Sequence, residues 1–271
     1  MPITPFTLAT WNINSVRLRA PHVASFVKEA QPDVIALQEI KCLPDQFPRK
    51  EFEEMGFPHL HIVGQKGLHG VAIASRTPIE PLDQDKLCPR GEARFQRVRV
   101  NGVELQNYYI PAGGDEPDPE INPRFAHKLE FLERLKGYAA DRAKENAPLV
   151  LVGDFNIAPR EHDVWSHKQL LKVVSHTPVE VEALNAWLEA GEYIDVAREL
   201  IDEPEKLFTW WSYRSKDWRA SNRGRRLDHI WVSPALKDAA LKDGRDSFRI
   251  WDNARDWEKP SDHAPVTLRL G

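Results

Sequence analysis

Residues 148–156 read Pro148-Leu149-Val150-Leu151-Val152-Gly153-Asp154-Phe155-Asn156: four consecutive aliphatic side chains that run into a glycine, an acid and an amide. An apolar run this short and unbroken is a strand covered on both faces, which needs helices or a second sheet on either side. The stretch before it has helical spacing. Phe125, Leu129, Leu132, Leu135 and Tyr138 recur every three or four residues, which predicts a helix over 123–143 with one stripe laid on a sheet. The same alternation continues outward in both directions. Residues 6–13 and 34–40 read as short buried strands with a helix over 21–30 between them. Residues 70–75, 94–100 and 103–110 are further strands, the last two joined at Asn101-Gly102, a pair that tolerates the positive φ of a tight hairpin. Residues 227–232 and 264–270 complete the set. This pattern predicts a mixed α/β fold in a single domain over 1–271, with 111–123 as a surface loop and no internal repeat.

Composition narrows the class. The 271 residues are 41% hydrophobic, with 41 acidic against 37 basic side chains and a formal charge of −4. Disorder, collagen and coiled coil are excluded. So is non-specific coating of nucleic acid, which needs dense basic charge, although a local basic groove is not. Cys42 and Cys88 are the only cysteines, too few for a disulfide framework or a cysteine-built zinc site, and they read as reduced thiols. Met1-Pro2-Ile3-Thr4-Pro5 has neither a basic nor an apolar leader segment, and no apolar run approaches a membrane span. We therefore expect a cytoplasmic protein that does not enter the membrane.

Polar chemistry collects where strands end. Asn12 and Asn14 follow the first strand, Gln38 and Glu39 close the second, Asp154 and Asn156 end the long buried one, Asp228 opens another, and Asp262-His263 precede the last. Any one of these alone would be an ordinary turn or cap residue. Together they describe one rim of a sheet protein, the usual place for a site. An oxygen-rich set with a single histidine suits a hard cation, magnesium or manganese, and such ions commonly handle phosphate.

Six blocks now carry a resemblance: Thr10-Trp11-Asn12-Ile13-Asn14; Pro32-Asp33-Val34-Ile35-Ala36-Leu37-Gln38-Glu39-Ile40-Lys41; Tyr109-Ile110-Pro111; Gly153-Asp154-Phe155-Asn156-Ile157-Ala158-Pro159; Asn222-Arg223-Gly224-Arg225-Arg226-Leu227-Asp228; and Glu258-Lys259-Pro260-Ser261-Asp262-His263-Ala264-Pro265. In order and content they resemble the exonuclease III family of bacterial repair nucleases, within the DNase I-like endonuclease/exonuclease/phosphatase superfamily. The resemblance implies a four-layer α/β sandwich, two packed mixed β-sheets flanked by helices. It also implies a monomeric, magnesium-dependent hydrolase of base-excision repair. Such an enzyme cuts duplex DNA 5′ to abasic sites, degrades it 3′ to 5′, and removes blocking groups from 3′ ends.

Carried over position by position, the family pattern makes Glu39 the principal metal ligand, with Asn12, Asp262, Asp154, Asn156 and His263 around the ion. Asp154 orients or deprotonates the attacking water and Asn156 steadies it. Asp228 holds His263, and Tyr109 contacts the phosphate or leaving group while its neighbour Tyr108 faces the core. Which of Asp154 and His263 is the base stays open; a protonated imidazole paired with Asp228 stabilises charge and cannot also accept a proton. DNA contacts fall to Asn14, Arg17, Trp210, Asn222, Arg223 and Arg225, with Arg19 as a further backbone contact. The window 208–231 adds Arg214, Lys216, Arg219 and Arg226 among Phe208, Trp211, Tyr213 and Trp218, with Phe208 or Trp211 expected in the core. Two positions depart from the family: Ala112 stands where relatives carry Asn or Gln, and Arg225 where they carry Leu or Trp. The other nine histidines read as surface residues. Two rivals remain, a phosphoesterase of the same fold acting on phospholipid or inositol phosphate, and a catalytically silent DNA-binding module.

Overall fold

The computed structural model describes residues 3–215 and 217–271; Met1, Pro2 and Lys216 in the readings above lie outside the described residues. In chain order the strands are β1 (Phe6–Asn12), β2 (Val34–Gln38), β3 (His59–Val63), β4 (Val71–Ser75), β5 (Glu80–Pro81), β6 (Phe95–Val100), β7 (Val103–Tyr109) and β8 (Leu149–Asp154). They continue with β9 (Ile194–Asp195), β10 (Trp210–Trp211), β11 (Gly224–Arg225), β12 (Asp228–Val232), β13 (Phe248–Ile250) and β14 (Val266–Leu270).

Two six-stranded sheets result, in the orders β13-β14-β1-β2-β4-β3 and β5-β6-β7-β8-β12-β9, with β10 and β11 as a separate ribbon. Each sheet has one parallel pair at its centre, β1 with β2 and β7 with β8, flanked by antiparallel strands. A parallel pair needs a long crossover, and helices supply it: Val16–Ala30 between β1 and β2, Pro123–Ala143 between β7 and β8. The two sheets thus share one plan with no repeat in sequence.

Alternation along the strands sorts the core into layers. Leu8, Val34, Ala36, Leu105, Val150, Val152 and Ile230 meet between the sheets. Trp11, Ile35 and Leu37 turn outward under the helices Val16–Ala30 and Arg49–Glu54. On the far side Tyr108, Leu149, Leu151 and Trp231 pack under Pro123–Ala143 and Pro178–Ala190. The order helix, sheet, sheet, helix is the sandwich that the resemblance implied, and β8 is buried throughout.

The first helix starts five residues before the expected Pro21. The chain turns at Arg19, which has non-helical φ, so that Pro21 opens the second segment, where it needs no N–H partner. Asn101 and Gly102 both take positive φ in the expected hairpin.

Candidate active site

Parallel strands end on the same side, and both central pairs end at one rim. Asn12 lies opposite Gln38, and Tyr109 opposite Asp154. The antiparallel neighbours begin at that rim, so Asp228 faces Asp154 across the ladder and Asp262-His263 enter just before β14. Asn14, Glu39, Lys41 and Asn156 all take left-handed backbone conformations with φ between 46° and 54°. For residues with a side chain that conformation is costly, and it turns these groups out of their strands toward a common cavity.

Glu39 is the hub of one half. Its Oε1 accepts from the Tyr109 hydroxyl at 2.6 Å and from Asn12 Nδ2 at 3.2 Å, and its Oε2 lies 2.8 Å from Lys41 Nζ. Burial works against the ionised carboxyl, but the Lys41 ammonium outweighs it and holds Glu39 below its ordinary value. Burial and the same carboxylate push the Tyr109 hydroxyl well up, so it stays a donor. Lys41 Nζ also reaches Asn14 Oδ1 at 2.6 Å, and Asn14 Nδ2 donates to Asp262 Oδ1 at 3.1 Å. Asp262 Oδ2 accepts from Trp210 Nε1 at 2.9 Å. Burial raises Asp262, but the adjacent His263 charge and the indole donor bring it below its ordinary value.

The other half joins Asp154, His263 and Asp228. His263 Nδ1 and Asp228 Oδ2 are 2.8 Å apart, and Nε2 lies 3.7 Å from Asp154 Oδ2. Burial disfavours the charged ring, yet Asp228 and Asp154 overcome it and raise the affinity of His263 for its proton. Burial dominates at Asp154 and raises it; the His263 charge opposes this and Asp228 adds to it. Asp154 accepts from Asn12 Nδ2 at 2.9 Å and from both the backbone and side-chain nitrogens of Asn156, at 2.9 and 3.0 Å. Asn12 therefore presents its amide nitrogen to both carboxylates, while its Oδ1 accepts from the Asn14 N–H. It bridges the two halves as a donor through its nitrogen.

A cavity of about 830 Å³ opens over both halves, lined below by Glu39, Tyr109, Asp154, Asn156, Asp262 and His263 and above by Trp165, Trp210, Arg214, Arg223 and Arg225. Arg225 reaches across the cavity to the carbonyl of Val174 and the hydroxyl of Ser175, at 2.9 and 2.7 Å, with its guanidinium 5.2 Å from the Trp210 ring. Arg223 lies over Trp165.

Several other expected contacts lie elsewhere. Arg226 is buried in an ion pair with Asp195 and Asp163, and cannot meet a ligand. Arg19 is a buried strut that donates to the carbonyls of Ile13, Asn14 and Lys259. Arg219 is held by Asp256 and Asp252. Asn222 caps a short helix in the left-handed region, spends its Oδ1 on Trp211 Nε1 and borders a different cavity. Arg17 is exposed on the first turn of its helix and does not line the site. The surface reading fails for three of the nine other histidines: His127, His176 and His229 are buried, and each finds a hydrogen-bond partner inside.

Some participants were not singled out from sequence. Lys41 lay in a quoted block, and only its reach back to Glu39 shows its place. Thr209 Oγ1 donates to Asp228 Oδ2 at 2.6 Å and accepts from the backbone nitrogens of Leu227 and Asp228, fixing the acid that holds His263. Lys128, fully buried, donates to the carbonyl of Asn156 and to Glu180 from beneath the site. No local signal marks a helical lysine as buried.

Two stacked mixed sheets with an acid- and amide-lined cavity at one end define a phosphoesterase-type sandwich, and the chain belongs to the endonuclease/exonuclease/phosphatase family, whose profile matches residues 9–263. Among its relatives, exodeoxyribonuclease III of Haemophilus influenzae is 31% identical over 95% of this chain and 97% of its own length. An AP endonuclease from Archaeoglobus fulgidus superposes with a TM-score of 0.86 at 32% identity, covering 98% of this chain and 99% of the other. A 3′ phosphatase from Neisseria, solved with a product DNA hairpin, superposes at 0.87 with 31% identity, covering 98% of this chain and 99% of the other. Among the described residues no helix is long and apolar enough to cross a membrane.

Proposed function

We propose that the chain is a metal-dependent DNA phosphodiesterase of base-excision repair. It incises duplex DNA 5′ to abasic sites and trims or cleans 3′ ends, working in the cytoplasm as a single-domain monomer. The observation that carries this reading is the meeting of Glu39 and Asp154, from the parallel pairs of two different sheets, in one cavity walled by arginines and tryptophans. The activities named for its relatives agree with it.

The donor set fits a hard cation. Glu39 Oε2 and Asn14 Oδ1 already face a positive charge, the Lys41 ammonium, at 2.8 and 2.6 Å, which supports the fit. Glu39, with Asp262 and Asn14 beside it, would hold magnesium or manganese, and the ion would supply Lewis-acid stabilisation of charge on the phosphate and leaving oxygen. Asp154, Asp228 and His263 also lie within 4.8 Å of one another, and because His263 Nδ1 is taken by Asp228 at 2.8 Å we assign this cluster to proton handling.

His263, its Nδ1 proton given to Asp228, turns Nε2–H toward the cavity as a donor to a phosphate oxygen. Asp154, its proton affinity raised by burial, takes a proton from water more readily than an ordinary carboxylate, and Asn12 and Asn156 fix its orientation. Tyr109 donates toward the substrate side of Glu39. Arg214 and Arg223 meet the DNA backbone, Trp210 packs against the displaced sugar, and Arg225 makes that pocket positive and narrower. End-labelled duplexes carrying one abasic site, a 3′-phosphate or a recessed 3′ end test the reading. We expect a 3′-hydroxyl product from each in magnesium. Intact DNA in all three, with turnover of a phospholipid or inositol phosphate instead, would replace it with the rival.

A further inference from the structure

A second cluster of potential ligands lies away from the cavity. Cys88 and Glu92 sit on the loop before β6, and His127 faces them from the helix Pro123–Ala143. One ligand atom from each lies within 4.8 Å of the others. Cys88 Sγ and His127 Nε2 are 3.5 Å apart. Zinc bonds of about 2.3 Å to sulfur and 2.0–2.1 Å to nitrogen, opened to a tetrahedral angle, place the two donors about 3.5 Å apart.

We propose that Cys88, Glu92 and His127 form a regulatory site for a soft divalent ion of the zinc class, separate from the magnesium site. The donor types select the ion: a thiolate and an imidazole suit zinc and leave magnesium unbound. His127 is available as a neutral ligand, since burial and the nearby Arg90 keep its proton affinity low, against the opposing pull of Glu92. A cavity beside Cys88 and Glu92 gives a path from solvent, and water completes the tetrahedron. On binding, the Cys88 S–H proton passes to solvent. Sequence reading missed the site because its three donors are of three types, and the helix that carries His127 begins 35 residues after Cys88 (123 − 88).

Occupancy has a route to the reaction. Glu92 now pairs with Arg94, with His69 Nε2 3.5 Å away. Arg94 in turn lies 4.7 Å over the Tyr109 ring and donates to the Tyr109 carbonyl, and the Tyr109 hydroxyl holds Glu39. An ion that takes Glu92 leaves Arg94 without its carboxylate partner, held only by the Tyr109 carbonyl and His69, and loosens Tyr109, so zinc slows cleavage.

Metal-free full-length protein titrated with cobalt(II) tests the binding. We expect one equivalent to give a thiolate-to-cobalt charge-transfer band that Cys88→Ser abolishes, Cys42→Ser leaves, and His127→Ala weakens at least about tenfold in affinity. No band, a band that survives Cys88→Ser, or one indifferent to His127→Ala overturns the site. Zinc added to magnesium-supported cleavage should inhibit the wild type and spare Cys88→Ser; equal inhibition of both overturns the regulatory role. The inhibition arm rests on the nuclease reading. The cobalt band does not, so absence of cleavage altogether would fault that reading and leave the site standing.

Discussion

Lys128→Met removes a buried ammonium from under the site while nearly keeping its volume, and the structure sets the size of the effect. Lys128 and Glu180 are each fully buried, with Nζ 2.5 Å from Glu180 Oε1, 2.8 Å from the Asn156 carbonyl and 3.3 Å from that of Ala112. Burial depresses the lysine's proton affinity and Glu180 counters it. Breaking a buried pair by removing one partner costs about 3–5 kcal/mol. Glu180 keeps three other donors, the Ser175 and Thr177 N–H groups and the Thr177 hydroxyl, which places the expected loss near the lower end, about 3 kcal/mol. At roughly 2–4 °C per kcal/mol in a chain of this size, the melting temperature drops by about 6–12 °C. Urea denaturation measures it, with an unchanged m-value as the condition for reading the midpoint shift as stability. Adding Glu180→Gln removes the stranded charge and should restore at least about 1 kcal/mol. Turnover should fall as well, because the Asn156 and Ala112 carbonyls lose their brace. A loss below about 1 kcal/mol, or a double mutant whose costs simply add, would refute the argument.

Asp154→Asn should lower turnover by about 10²–10⁴-fold while the denaturation midpoint holds or rises, since a desolvated carboxylate has gone; near wild-type rates would remove Asp154 from the chemistry. In His263→Asn the positive neighbour that restrains the proton affinity of Asp154 is lost. The acid limb of the residual pH–rate profile should therefore move to higher pH, and a shift to lower pH would contradict the coupling. Arg223→Ala should flatten the dependence of log affinity for DNA on log salt by about 0.9, one phosphate contact. Arg219→Ala should leave that slope unchanged because Asp256 and Asp252 already neutralise it, and equal slopes for the two variants would show that the cavity wall is misread.

The strands that matter most were legible because burial on both faces leaves an unbroken apolar run, as at Leu149–Asp154. Edge strands were not. β3 is half-exposed along its length and β5, β9 and β13 have two or three residues each, so none builds a pattern long enough to read. The helix Pro178–Ala190 carries its signal in the Thr177 to Glu180 capping box and not in a long apolar stripe. At the site, residue types and strand ends were enough to gather Glu39, Asp154, Asp228, Asp262 and His263. Charge in sequence says nothing of pairing, and that is where the reading failed. Arg226 looked like part of a basic face and is the centre of a buried ion pair, whereas Arg223, three residues earlier, lies over Trp165 on the cavity wall. Part of the basic surplus near 214–226 is spent on ion pairs within the chain, at Arg219 and Arg226, and only the rest faces the cavity.

The central claim is a division of labour, with Glu39 serving the ion and Asp154 the water. Cleavage of an abasic duplex as a function of magnesium concentration, for wild type, Glu39→Gln and Asp154→Asn, tests it most directly. The account predicts no cleavage in chelator, a magnesium requirement raised at least about tenfold in Glu39→Gln, and in Asp154→Asn a low rate that no amount of magnesium restores. Cleavage that persists in chelator, or a Glu39→Gln enzyme with the wild-type magnesium dependence, would contradict it.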